Sequence, residues 1–122
     1  MANPFVHVEL HTKDLAKAKT FYGQLFGWQQ QDTPMPGGGG TYTMIGVGDG
    51  TGGGLMKNLM PNAPSWWLAY VLVDDIEAAT KKAKSLGGKV MKDVTEVMGM
   101  GWLSIIVDPT GAVLGLWKPK KK

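Results

Sequence analysis

Residues 5–28 read FVHVELHTKDLAKAKTFYGQLFGW, and this stretch decides the fold. Val6, Val8 and Leu10 alternate with Phe5, His7, Glu9 and His11, the two-residue period of a strand with one packed face. One face is apolar; the other carries two imidazoles and a carboxylate. Thr12 or Asp14 then stands where a helix N-cap is needed. Leu15, Ala18, Phe21, Tyr22 and Leu25 follow at helical spacing as the stripe expected to be buried, and Gly27 is the stop. A strand therefore feeds directly into a helix that covers one of its faces. The ionisable residues lie on the other face.

The same pattern returns later in the chain. Trp66–Val73 reads as a strand, Asp74-Asp75 as a cap, the residues through Leu86 as a helix, and Gly87-Gly88 as its end. Trp102–Val107 and Ala112–Trp117 read as two more strands around the turn Asp108-Pro109-Thr110-Gly111. A constant shift of 61 residues puts Asp14 on Asp75, Ala18 on Ala79, Leu25 on Leu86 and Gly27 on Gly88. It also puts Ile45 on Ile106, Gly50 on Gly111, Gly54 on Gly115 and Leu55 on Leu116. Self-similarity of this kind marks a tandem unit. Each half reads β-α-β-β-β, too small to bury its own sheet face, so the two are expected to pair within one domain. Module one spans about 4–58, a linker 59–65, module two about 66–118 and a basic tail 119–122.

Between the helix and the linker, Gln29–Gly40 reads as irregular, with Pro34, Pro36 and four successive glycines. A phosphate-binding loop needs Gly-Lys-Ser/Thr opening a helix, whereas Thr41–Ile45 is strand-like, so a flexible hairpin is expected. Gly46-Val47-Gly48-Asp49-Gly50 is likewise followed by no helix. It reads as a turn before a short Gly-rich strand through Leu55 and Met56.

With 43% apolar and 19% charged residues the composition is that of a globular protein. No apolar run approaches the roughly 18 to 20 residues of a membrane span, and no secretory signal pattern opens the chain, so a cytoplasmic protein is expected. Cysteine is absent, which removes disulfides and thiolate chemistry. The formal charge of +3 comes from Lys118, Lys120, Lys121 and Lys122; the other nine lysines face ten carboxylates. All basic side chains are lysines, and the bidentate fork that reads phosphates and base edges is an arginine property. No nucleic-acid partner is expected.

The strand leading into KDLAKAKTFYGQLFGW, its echo YVLVDDIEAATKKAKSLGG and the late turn VDPTGAVLGLW together resemble the glyoxalase/bleomycin-resistance/dioxygenase superfamily, or vicinal oxygen chelate proteins. The closest likeness is to small members related to lactoylglutathione lyase. The resemblance covers nearly the whole chain. It implies an α+β fold in which two tandem βαβββ modules form a curled mixed sheet around a cleft, helices outside, often within a homodimer. In metal-dependent members the ligands come from the first and last strands of the modules. Those positions fall here on His7, Leu68, Gly54 and Gly115, and only His7 has a donor. About three protein ligands are needed to hold zinc, nickel or iron. Glu9 and His11 share the face of His7, but neighbours two apart on a strand lie roughly 7 Å apart, so converging on one ion is strained. No cofactor is therefore expected, with His7 the one donor left for a divalent metal. Metal-based glyoxalase and dioxygenase chemistry is disfavoured accordingly. Bleomycin capture is disfavoured too, because the body of the chain is nearly neutral.

On this reading the cleft is lined by Phe5, His7, Glu9 and His11 on one wall and by Trp66, Leu68, Tyr70 and Leu72 on the other. Met56, Val113 and Trp117 add to it from the last strands, and Trp102 stands near the Met98–Gly101 stretch, a candidate lid. A largely apolar, aromatic groove with a few polar groups suits a small organic molecule. A groove carboxylate such as Glu9 can act as a base with His7 as acid or orienter. Two functions stay open: a metal-independent lyase or isomerase using Glu9 and His7, and a non-catalytic binding protein of the drug-resistance type.

Overall fold

The computed structural model describes residues 3–34, 40–58, 63–97 and 99–120. The expected hairpin over 29–40, the linker 59–65, the candidate lid over 98–101 and the tail 119–122 therefore lie partly outside the described residues. The elements are β1 (Phe5–Thr12), α1 (Leu15–Phe26), β2 (Gln29–Pro34), β3 (Thr41–Gly46), β4 (Gly53–Lys57), β5 (Trp66–Leu72), α2 (Ile76–Ser85), β6 (Lys89–Val97), β7 (Gly101–Val107) and β8 (Val113–Pro119). Two βαβββ modules follow each other along the chain, as the repeat requires, and the fold class is α+β. Among the described residues no helix is long and apolar enough to cross a membrane.

The chain divides into two compact units, His7–Leu68 and Met1–Val6 with Ala69–Lys122. In the first unit the strands run in the order β2-β3-β4-β1. β1 and β4 are parallel with Glu9 opposite Gly54, and β3 is antiparallel to β4 with Met44 opposite Gly54. In the second unit the order is β5-β8-β7-β6, with Tyr70 opposite Gly115 and Ile105 opposite Gly115. Adding 61 to each residue of the first set returns the second set, so the repeat holds at the level of strand register.

The helices start alike. Asp14 Oδ1 accepts from the Lys17 N–H at 3.1 Å, and Asp75 Oδ1 from the Ala78 N–H at 3.0 Å, each satisfying a donor the first turn leaves open. Asp14, not Thr12, is thus the cap. Gly27 ends α1 at φ 69°, a conformation glycine adopts without penalty. Leu10, Ile45 and Leu55 form the core of the first unit, with Leu15, Ala18, Tyr22, Trp28 and Val47 packed on them. In the second unit Thr80 of α2 and Ser104 of β7 share a buried hydrogen bond of 2.8 Å, which places Ser104 on the helix side of its strand.

Two sequence expectations need correction. Gln29–Pro34 is not irregular: it is β2, paired antiparallel with β3 from Gln29↔Gly46 to Pro34↔Thr41. Its polar composition hid it, since the backbone ladder, not an apolar face, makes it a strand. The stripe of α1 is also narrower than its spacing suggested. Leu15, Ala18 and Tyr22 pack on the core, whereas Phe21 and Leu25 flank them and are more than half exposed.

Candidate functional site

The site is built on β1. Leu10 points into the α1 core, so strand alternation sends His7, Glu9 and His11 to the opposite face. There they do not act singly. The Tyr42 hydroxyl donates to Glu9 Oε2 at 2.8 Å, and His11 Nε2 lies 2.7 Å from Glu9 Oε1. His7 Nε2 lies 2.7 Å from the Tyr42 hydroxyl, with the two rings nearly parallel and 6.3 Å apart. Glu9 is only 7% exposed and Tyr42 is equally enclosed. A buried carboxylate needs donors on both oxygens, and the phenol and the His11 imidazole supply them.

Gly54 makes this chain possible. Tyr42 sits on β3, Glu9 on β1, and β4 runs between them. Met44 and Glu9 are both register partners of Gly54, and Tyr42 shares the Met44 face one step along. Because Gly54 has no side chain, the Tyr42 ring lies flat across β4 and reaches the carboxylate. A Cβ at Gly54 would overlap the Tyr42 hydroxyl and Cζ. The second module has a parallel arrangement of different chemistry: the Tyr70 ring lies over Gly115, where a Cβ would overlap it.

The donor sense follows from charge. With Glu9 ionised, Tyr42 gives its hydroxyl proton to Oε2, and its oxygen accepts from His7 Nε2–H. His7 thereby carries a proton at Nε2. Burial holds its pKa below the ordinary 6.5, against the opposing pull of the Glu9 charge.

Of the residues singled out from sequence, His7, Glu9 and His11 come together, and Trp66 joins them, its ring 5.0 Å from that of His11. Met56 is the β4 register partner of His11. Leu68 is fully buried. Tyr70 covers Gly115, and Trp117 fills the space beside Gly101, with Val113 two residues before Gly115 on β8. Phe5 is an exposed strand end. Trp102 lies on the sheet face opposite that of Tyr70 and Trp117 in its own unit. It shares the strand face of Ser104, lines a crevice with Ile76 at the start of α2, and has the Lys118 ammonium 5.5 Å over its ring. Tyr42 escaped the sequence reading. Its one signal was the side-chain-free Gly54, whose neighbouring space some ring had to fill.

The four positions where the superfamily places metal ligands do not fit a divalent ion. Leu68 is apolar, and at Gly54 and Gly115 the room for a ligating side chain is taken by tyrosine rings. Among the described residues no three His, Cys, Asp or Glu are grouped to hold an ion.

Comparison with known proteins agrees with this architecture. The putative glyoxylase CFP32 of Mycobacterium tuberculosis is 40% identical over 118 residues, covering 93% of this chain and 45% of its own length. The anthracycline biosynthesis protein DnrV of Streptomyces peucetius is 29% identical over 128 residues, covering 90% of this chain and 45% of its own. The chain thus spans about half the length of these curated relatives. Among solved structures, methylmalonyl-CoA epimerase from Mycobacterium tuberculosis superposes with a TM-score of 0.73 at 17% identity, covering 96% of this chain and 88% of that one, a likeness of fold. The model of the Glyoxalase/Bleomycin resistance protein/Dioxygenase superfamily matches residues 5–116, and the chain belongs to that superfamily.

Proposed function

We propose that the chain binds a small, largely uncharged organic molecule against the Glu9 face of β1 and moves a proton on it without a metal ion, as a lyase or isomerase. One observation carries this reading. The position of Glu9 in module one is that of Tyr70 in module two, which is 3% exposed and does the packing there with an uncharged ring. The fold does not require a charge at this place, and burying one costs several kcal/mol in an apolar setting, so Glu9 with its donors has another use.

The chemistry that suits the chain is removal of a proton from a carbon beside a carbonyl. The C–H bond breaks and its electron pair moves onto the carbonyl oxygen. His7, neutral near pH 7, takes the proton; Nε2–H passes to Tyr42, and the Tyr42 proton passes to Glu9. The negative charge moves from Glu9 to the substrate and returns when the proton goes back to carbon. His11 keeps Glu9 oriented throughout.

A second reading has an observation of its own. Among the described residues no buried polar side-chain atom lacks a partner, so the network is already closed, as a non-catalytic drug- or metabolite-binding protein would need. Proton exchange separates the two. Metal-free protein in D2O is mixed with a panel of small α-hydroxy ketones and acyl thioesters, and loss of the α-proton signal is followed by NMR. The enzyme reading expects exchange that falls at least about 100-fold in Glu9→Gln. Saturable quenching of tryptophan fluorescence with no exchange supports the binding reading and refutes the enzyme.

A further inference from the structure

A crevice of about 260 Å³ opens beside the start of α2, lined by Asp75, Ile76, Glu77, Val94, Trp102 and Lys118. All six belong to the second unit, and Trp102 on β7 and Lys118 on β8 are register partners. The 61-residue shift separates frame from addition. Asp75, Ile76 and Lys118 match Asp14, Leu15 and Lys57, the cap, core and strand-end residues of both modules. Glu77, Val94 and Trp102 match Ala16, Thr33 and Thr41. Module one forms with alanine and two threonines at those places, so the frame requires neither the indole nor the carboxylate.

The charges in the crevice are not joined. Lys120 pairs with Glu96 at 3.2 Å, whereas Lys118 Nζ stands 5.5 Å over the Trp102 ring. Neither the Lys118 ammonium nor the Glu77 carboxylate makes a hydrogen bond or ion pair with another described residue. Asp75 is engaged otherwise, its Oδ1 accepting from the Ala78 N–H at 3.0 Å. Lys118 is half-buried, and a carboxylate in the same crevice is its natural partner. The two stand apart instead, over an apolar floor of Ile76, Val94 and Trp102.

We infer that this crevice binds a free α-amino acid with an apolar side chain. The ligand carboxylate pairs with Lys118, its ammonium with Glu77, and its side chain lies on Trp102, Val94 and Ile76. A molecule with both charges about one carbon can bridge two unlike groups that do not reach each other. A simple cation would meet Lys118, and a simple anion would meet Asp75 and Glu77, so the lining selects against each. Size agrees. Pockets for drug-sized ligands hold about 300–1,000 Å³, and this crevice falls just below that range, which suits a single amino acid. The indole favours an aromatic side chain, stacked offset or edge-on. A ring holds an exposed ammonium only weakly, so Lys118 can turn from it to the ligand.

The inference does not depend on the chemistry proposed for Glu9, and its test reads binding alone. The indole N–H signal of Trp102 in the nitrogen-15-labelled full chain is identified by its loss in Trp102→Thr. It is followed by NMR during titration to about 10 mM with L-phenylalanine, with phenethylamine, which lacks the carboxylate, and with hydrocinnamate, which lacks the ammonium. L-Phenylalanine is expected to shift it saturably, with a Kd at least about tenfold lower than that of either analogue. Glu77→Gln and Lys118→Gln should each raise that Kd about tenfold or more. Thermal melts establish that the variants are folded; if Trp102→Thr is not, Trp102→Phe identifies the signal. No saturable shift with phenylalanine overturns the inference. So does an analogue that binds as tightly, or a phenylalanine Kd unchanged in either charge variant.

Discussion

Replacing Gly54 by alanine probes the site through one methyl group. The new Cβ would lie well inside 3.0 Å of the Tyr42 hydroxyl and ring, closer than real side chains come, so the ring must move. It has little room, because Tyr42 is buried and its hydroxyl is held by Glu9 and His7. Overpacking of this kind costs about 1–3 kcal/mol. If the ring swings away from Glu9, the carboxylate loses a donor in a buried place, which adds about 1–3 kcal/mol. Gly54→Ala is therefore expected to destabilise by about 2–6 kcal/mol, taking these two terms together. Urea melts of Gly54→Ala, Tyr42→Ala and the double variant provide the check, since two residues in contact do not add. Once Tyr42 is alanine the methyl at 54 has space, so the double variant should be no less stable than Tyr42→Ala. A Gly54→Ala cost below about 1 kcal/mol, or strict additivity, would refute the claim that the ring fills the last-strand position.

Other outcomes follow from the same geometry. Tyr42→Phe keeps the ring over Gly54 and removes the bridging hydroxyl. It is expected to cost about 1–3 kcal/mol in urea melts and to abolish whatever proton exchange the wild type shows. His7 is held below its ordinary 6.5 by burial, so between pH 6.5 and its folded value the unfolded chain binds more protons. Stability is therefore fully present above about pH 6.5 and declines as pH falls through that window, and His7→Gln should flatten this part of the melting temperature profile.

Much of the fold was legible because it is local. The alternation of β1, the Asp14 and Asp75 caps and the 61-residue echo all depend on neighbours in sequence, and the register of β1 with β4 and β5 with β8 repeats as that echo implies. β2 was hidden because an exposed edge strand of glutamines carries no apolar period. Phe21 and Leu25 misled because helical spacing shows a stripe without showing how wide a sheet lies beneath it. The strand face that carries Trp102 was not legible, because a strand's parity cannot be read without one fixed contact, here Ser104 with Thr80. The site was half legible. His7, Glu9 and His11 announced a polar strand face, but Tyr42 lies 33 residues from Glu9 and meets it only across a glycine on an intervening strand.

The central claim is that His7, Tyr42, Glu9 and His11 form one coupled proton chain. Nitrogen-15 NMR of the two imidazoles tests it without any ligand, because the ring shifts report tautomer and charge. At pH 7 His7 is expected to be neutral and protonated at Nε2. The Glu9 charge raises the His7 pKa against burial, so Glu9→Gln should move its titration to still lower pH. A His7 protonated only at Nδ1, charged at pH 7, or titrating unchanged in Glu9→Gln would contradict the account.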